Sequence, residues 1–337
     1  MPIVTTEHFK SGCLPLSKDG IPQVSEDDYT RLKGYKLEKD DIVFSRVGSV
    51  DINAHVEALQ DGWLFSGRVL RVRPIKTINA ECLHYVLSTE SVKRSIRNRA
   101  VGQTMPSINT PILANTRISL PQSIVEQKKI ARLLSLLDER IATQNKIIDK
   151  LQSLIKGISN IIFASIQGRE YRMGEIATIT NGDSNVQDAV TEPKEGMYPF
   201  FDRSEDIKYL PTFLFDKEAL IYPGEGAEFM PRYIKGKFAL HQRCYAIFDF
   251  KDIVTVQFLY FYLKTQNSYF IRNAVGSTVP SLRLDTFQKL KVVIPSKVMQ
   301  RKVSLCLSSI EQKCNAEKVI LQSLLKQKQY LLRQMFI

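Results

Sequence analysis

The chain repeats itself. The segment IRNRAVGQTMPSI at residues 96–108 returns as IRNAVGSTVPSL at residues 271–282, so that Gly102 matches Gly276, Thr104 matches Thr278, and Pro106-Ser107 matches Pro280-Ser281. Four more blocks keep the same order in both halves. DDIVFSRVGS (40–49) resembles KEALIYPGEGA (217–227), and FSGRVLRV (65–72) resembles LHQRCYAI (240–247). LHYVLST (83–89) resembles LYFYLKT (259–265), and QKKIARLLSLLDERI (127–141) resembles QRKVSLCLSSIEQKC (300–314). The spacings shift by only a few residues. Five collinear blocks mean one supersecondary plan used twice, so whatever packs one half must also pack the other.

Each half reads as a mixed globular part followed by a long helix. Short β-branched and aromatic runs, residues 42–44, 69–72, 219–222 and 245–248, are bounded by Gly, Pro and Asp, the pattern of strands with turns. Residues 80–99 and 255–272 carry helical periodicity. Pro121 and Pro295 then close the globular parts, because proline is tolerated at a helix start and not in its interior.

Behind each proline runs a heptad seam. The first is Ile130, Leu134, Leu137, Ile141, Gln144, Ile148, Leu151, Ile155, Ile158 and Ile162. The second is Val303, Leu307, Ile310, Cys314, Glu317, Leu321, Leu324, Lys328, Leu331 and Met335. Each position in one maps onto the other at an offset of 173, and the polar Gln144 aligns with Glu317. A strict 3.5-residue period calls for a partner helix wound around it. The order globular–helix–globular–helix closes most simply if the two helices pair antiparallel with the globular parts at opposite ends. From Ile130 to Ile162 the rise is on the order of 50 Å, or roughly 15 base pairs of duplex. The fold class expected is α+β: two mixed α/β domains separated by two long antiparallel coiled-coil helices, with internal pseudo-two-fold symmetry.

Charge follows the repeat. The net charge is +12, with 23 basic against 17 acidic side chains in residues 1–168 and 24 against 18 in residues 169–337. Two equally cationic halves suit a polyanion ligand with two similar sites. Catalytic and metal signatures are absent from the sequence. Cys13, Cys82, Cys244, Cys306 and Cys314 contain no C-x-x-C pair, and His8, His55, His84 and His241 are scattered. No G-x-x-x-x-G-K-[ST] loop and no [DN]-P-P-[YF] tetrapeptide occurs, and Gly224-Glu225-Gly226 reads as a turn. The expectation is a non-enzymatic chain with no cofactor and no metal. Lacking an 18-residue apolar run and a basic-then-apolar N-terminus, it is expected to be cytoplasmic, without a membrane partner.

The duplicated order of a globular part ending in G-[QS]-T-x-P-S-[IL], a short strand, L-P or I-P, and Q-[KR]-[KR]-[IV] opening a heptad helix resembles the specificity (S) subunit of Type I restriction–modification enzymes. The resemblance covers nearly the whole chain. It implies that residues 1–122 and 169–295 are target recognition domains, each reading half of a split sequence in double-stranded DNA. It also implies that residues 123–168 and 296–337 are conserved helices that set the spacing and dock two methyltransferase subunits, with restriction subunits joining the full complex. The competing reading is a coiled-coil scaffold for proteins, its basic surface incidental.

Base reading requires Arg, Lys, Gln, Asn, Ser or Thr at loop tips. The candidates in the first domain are Thr5, Thr6, Ser45, Arg46, Arg68, Gln103 and Thr104, and in the second Asp202, Arg203, Gln242, Arg243, Ser277 and Thr278. A basic helix face of Lys93, Arg94, Arg97 and Arg99 is the candidate phosphate binder, with Lys264 and Arg272 as its weaker counterpart. One departure from the pattern stands out. MPIVTTEHF at the start aligns with YPFFDRSEDI at residues 198–207, so residues 171–197 have no counterpart in the first half. Either the numbering starts at an internal methionine or the first domain is natively short, and an open sheet edge is expected there.

Overall fold

The computed structural model describes residues 1–336. The chain divides into two compact units that do not follow chain order: Met1–Asn145 together with the stretch from Val319 onward, and Lys146–Lys318.

The first unit contains β1 (Ile3–Val4), α1 (Glu26–Arg31), β2 (Ile42–Ser45), β3 (Asn53–His55), β4 (Leu64–Phe65), β5 (Val69–Val72), α2 (Ala80–Leu87), α3 (Glu90–Arg99) and α4 (Thr110–Ala114). Then α5 (Ile124–Ser165) begins. The second unit contains β6 (Arg169–Arg172), α6 (Met173–Ile176), β7 (Thr178–Asn181), β8 (Tyr198–Phe201), β9 (Lys208–Leu210), β10 (Phe215–Pro223), β11 (Arg232–Leu240) and β12 (Cys244–Phe248). It continues with α7 (Val256–Lys264), α8 (Asn267–Asn273), α9 (Leu284–Gln288) and β13 (Lys291–Ile294), and α10 (Lys297–Met335) follows.

The repeat is visible as strand register. In the first unit β2 lies between β3 and β5, with Ile42 opposite Val72. In the second β10 lies between β11 and β12, with Leu220 opposite Ile247. Each central strand is buried on both faces with period two. Ile42 and Phe44 enter one core while Val43 enters another. Leu220 and Tyr222 likewise face the helices while Ala219 and Ile221 face away. Phe44 and Tyr222 are fully buried, each stabilising its unit by roughly 1.5–3 kcal/mol through apolar burial. Parallel pairing also repeats: Ile3 and Val4 sit opposite Leu64 and Phe65, as Phe200 and Phe201 sit opposite Ala239 and Leu240. The long β11 of the second unit is divided in the first into β3 and β4, separated by a 3-10 turn at Ala58–Gln60.

Each expected helix at residues 80–99 and 255–272 is in fact two. Thr89 Oγ1 donates to Val86 O at 2.7 Å and Thr265 Oγ1 to Tyr262 O at 2.7 Å. A threonine hydroxyl bonded to its own last turn closes the helix and redirects the chain. The short strand expected before Pro121 is also missing. Residues 117–120 form no strand, whereas their counterpart β13 pairs with β6.

Both long helices run through both units in opposite chain sense, and each unit has its own pairing. In the first, Leu134 and Leu137 are buried, Lys328 on α10 bonds Asp138 on α5, and Phe336 packs on the core of Leu83, Val86 and Ile108. In the second, Ile158, Ile162 and Phe163 pack on the core that holds Val303 and Leu307. Ile148, Cys314 and Leu324 are buried, while Ile130, Ile141, Leu151, Ile310 and Leu321 are half-buried. The polar seam residues Gln144 and Glu317 are buried as well, and Lys313 lies 2.5 Å from the Glu317 carboxylate.

The Q-[KR]-[KR]-[IV] motif has a structural role. Gln127 Oε1 accepts from the Asn79 backbone N–H at 2.8 Å, and its amide donates to Pro121 O at 2.8 Å. Gln300 Oε1 accepts from Thr255 N–H at 2.8 Å, and its Nε2 donates to Ile253 O and Pro295 O. Each glutamine is fully buried and ties the start of a long helix to the start of α2 or α7. It satisfies helix-end groups that would otherwise be orphaned.

Candidate nucleic-acid interface

The parallel strand pairs place the candidate residues. β1 and β8 end at Val4 and Phe201, so Thr5-Thr6 and Asp202-Arg203 emerge beside the turns after β4 and β11. Those turns carry Arg68 and Arg243. The result is a cleft in each unit at the same repeat position. One, of about 460 Å³, is lined by Thr5, Thr6, Glu7, Ser66, Gly67 and Arg68. The other, of about 540 Å³, is lined by Asp202, Arg203, Ser204, Lys208, Glu225, His241, Gln242 and Arg243, among others.

Within the second cleft the charges are ordered. Asp202 is buried and accepts from Lys208 Nζ at 2.6 Å and from the Ser204 backbone N–H at 2.8 Å. Burial pushes its carboxyl up, but the bonds from Lys208 and Ser204 outweigh this and hold it below the usual range. Arg232 closes the floor, donating to Asp202 O and to Ser204 O at 2.8 Å. Arg243 Nη1 reaches Glu225 Oε1 at 2.9 Å while most of its side chain remains in solvent. Burial lowers the His241 imidazole, which is therefore neutral near pH 7. Burial also raises the Cys244 thiol to about 11, which leaves it protonated and inert. Arg203 and Gln242 are exposed at the rim. In the first cleft Arg68 is exposed, Arg46 Nη1 donates to Gly67 O at 3.3 Å, and Glu7 is met by Lys10 at 2.5 Å.

A second shared element is the G-[QS]-T-x-P-S loop. Val101 and Ser107 exchange backbone bonds at 2.9 and 2.8 Å, as do Val275 and Ser281 at 2.8 Å each. Gly48 N–H is held by Pro106 O and Gly226 N–H by Pro280 O. Gly102 and Gly276 adopt φ of 99° and 101°, and a Cβ at either would lie 2.9 Å from a carbonyl oxygen three residues on. Only glycine fits both demands. The tip residues Gln103, Thr104, Ser277 and Thr278 are exposed, together with Met105 and Val279.

The remaining candidates divide by their engagement. Ser45 is buried, with Oγ donating to Val47 O at 3.2 Å. Arg97 is held by Asp51 and Glu90, and Arg99 donates to Asn115 O at 2.7 Å. Lys264 is tied to Glu311 on α10 and to the Tyr260 hydroxyl. This parallels Tyr85, which donates to Asp138 on α5 at 2.9 Å. Arg94 is exposed, Lys93 is half-buried, and exposed Arg272 donates to Ser268 O. Lys208, His241 and Glu225 were not candidates on sequence grounds. Lys208 lies six residues from Asp202 but reaches it only because β8 and β9 pair. Among the described residues no cluster of His, Cys, Asp and Glu could hold a metal, and no helix is long and apolar enough to cross a membrane.

Comparison with known proteins agrees with this architecture. The model of the type I restriction modification DNA specificity domain matches residues 1–153 and 168–326. The specificity subunit of the type I restriction enzyme EcoDI from Escherichia coli is 26% identical over 161 residues, 47% of this chain and 34% of that protein. A putative type I restriction enzyme MjaX specificity subunit from Methanocaldococcus jannaschii is 31% identical over 189 residues, 53% of this chain and 43% of that protein. The matched stretches thus span less than half the length of these curated relatives. The solved S subunit of a type I system from M. genitalium superposes with a TM-score of 0.64 at 19% identity, covering 90% of this chain and 84% of that one. A chain from a study of complex assembly and conformational transition of the type I R-M system gives 0.56 at 15% identity, covering 89% and 82%. With its two mixed units and paired long helices, and with both halves matched by the family model, the chain belongs to the type I restriction–modification DNA specificity family.

Proposed function

We propose that this chain is the non-catalytic DNA-recognition subunit of a type I restriction–modification complex. Each unit reads one half of a split, asymmetric target, and the long helices set the gap and dock methyltransferase subunits, with restriction subunits added in the full complex. The observation that carries this reading is the pair of clefts at one repeat position, each with an exposed arginine beside a glycine-turned polar loop. An arginine at a groove edge can bond guanine bidentately, and the threonines of the loop reach either base edges or phosphates. The side chains differ between the clefts, Thr5-Thr6 against Asp202-Arg203 and Gly67 against Gln242, so two different half-targets follow. The buried Asp202 shapes its cleft, while the buried Ser45 and the engaged Arg97, Arg99 and Lys264 hold structure. Phosphate contact falls to Lys93, Arg94 and Arg272.

The test is selection from random duplex DNA by the chain assembled with its methyltransferase subunits. Enrichment of a bipartite motif with a fixed gap is expected, and no enrichment favours the scaffold reading. Arg243→Ala is expected to weaken specific binding by ~1–3 kcal/mol and to relax one half-site only, while Arg46→Ala and Arg68→Ala relax the other. Equal loss on specific and random DNA would reduce these arginines to phosphate contacts. Affinity is expected to fall steeply with salt.

A further inference from the structure

The turn Gly224-Glu225-Gly226 is pinned on both sides. Gly224 O accepts from Leu282 N–H at 2.7 Å, and Gly226 N–H donates to Pro280 O at 3.0 Å. The chain passes so close to Arg243 that a Cβ on Gly224 would lie 1.9 Å from Arg243 O. Glycine permits that approach, and it sets Glu225 beside Arg243. The carboxylate takes Arg243 Nη1 on both oxygens, Oε1 at 2.9 Å and Oε2 at 3.1 Å, which leaves the Nη2 and Nε edge to a ligand. The Arg243 backbone N–H donates to His241 Nδ1 at 3.2 Å. The arginine is thus fixed at both ends, although its side chain is 63% exposed against 19% for Glu225. The first unit builds the same frame without the carboxylate. Ile108 N–H donates to Arg46 O at 2.9 Å and Gly48 N–H to Pro106 O at 2.8 Å. Between them stands Val47, whose bridge to Ser107 repeats that of Glu225 to Ser281. A valine side chain offers Arg68 no acceptor.

An ion pair this exposed adds little to stability. A carboxylate in a cleft that receives a polyanion lowers affinity, because like charges repel. What the pair does supply is orientation, since a long side chain already held in one rotamer need not be ordered on binding. Resting on the DNA reading above, we infer that Glu225 is a positioning residue for sequence recognition. It holds Arg243 so that Nη2 and Nε meet the O6 and N7 edge of one guanine in the half-target of the second unit. Affinity is given up for discrimination at that base pair.

Selections from random duplex DNA decide this, run with the chain assembled with its methyltransferase subunits and paired with a Kd for one duplex that lacks the motif. Glu225→Ala is expected to lower the guanine preference at one position about three- to tenfold, the cost of ordering one long side chain. Its affinity for the motif-free duplex is expected to rise, because a negative charge has gone. Glu225→Gln keeps an acceptor in place and is expected to lose less of the preference. With Arg243→Ala already present, Glu225→Ala is expected to change that position no further, since the two residues act as one unit. A wild-type chain that enriches no motif overturns the DNA reading and this inference with it. A wild-type motif that Glu225→Ala leaves unchanged overturns the inference alone. So does a loss spread over every position of the half-target with weaker binding to the motif-free duplex, which a merely structural role would produce.

Discussion

The two units share a strand register and differ in what fills it. At the edge of the first unit's sheet, Arg73 grips Asp41 with Nε to Oδ1 at 2.7 Å and Nη2 to Oδ2 at 2.8 Å, and Nη1 reaches Glu38 at 2.8 Å. Asp41 is 1% exposed. The same two positions in the second unit are Ala219 and Phe248, both buried. One backbone plan thus accepts an ion pair or an apolar pair at one place. A buried ion pair is roughly interchangeable with apolar residues of similar size, but half of one is costly. The plan is therefore held by shape and register, and the chemistry at each position varies within it.

That comparison can be broken most sharply at Arg73. Arg73→Ala leaves the buried Asp41 carboxylate without its guanidinium and is expected to destabilise the first unit by ~3 kcal/mol, the low end for a broken pair because the guanidinium itself lies 41% in solvent. Adding Asp41→Ala and placing phenylalanine at position 73, the pair used by the second unit, is expected to recover most of the loss. Calorimetry with hydrogen exchange resolved by unit reads both, and a double variant as unstable as the single one would show that the units are not interchangeable here.

The glutamine clamps offer a test in which the units are expected to agree. Gln127→Ala and Gln300→Ala each orphan a half-buried backbone N–H and at least one carbonyl, at ~1–3 kcal/mol apiece. The Gln300 loss is expected to be the larger, because its amide serves two carbonyls. Equal urea midpoints for the two variants would remove that distinction.

The smallest expected effect is acid sensitivity at His84, whose counterpart is Tyr260. Burial lowers the His84 imidazole from 6.5 to about 3, and its Nδ1 lies 2.7 Å from Asn53 Oδ1. The unfolded chain takes up this proton near pH 6.5 and the folded one only near pH 3. Its contribution is therefore complete above pH 6.5 and is lost progressively as the pH falls through that window. His84→Gln is expected to flatten the fall in melting temperature between pH 7 and 4.5. An unchanged slope would place the acid sensitivity elsewhere.

Much of this was legible because it is periodic. The strands β2, β5, β10 and β12 and the long helices behind Pro121 and Pro295 follow from local patterns that each half states independently. Residues 117–120 show where such reading stops: their pattern is that of β13, but a strand exists only if another lies beside it. Thr89 and Thr265 show the same at helix scale, since the periodicity of residues 80–99 and 255–272 runs on while a side-chain hydroxyl ends the helix. The candidate side chains were harder still. Arg97 and Lys264 look like free cations in a list of residues, and their partners Asp51 and Glu311 are 46 and 47 residues away.

What the amino-acid order determined alone is the duplication, its register, and the even sharing of positive charge, because spacing and composition are properties of neighbours along the chain. Which charges are already neutralised and which glutamine holds a helix start were decided by the tertiary structure. Hydrogen bonds and ion pairs act over about 3 Å, and only folding brings residues tens of positions apart within that distance.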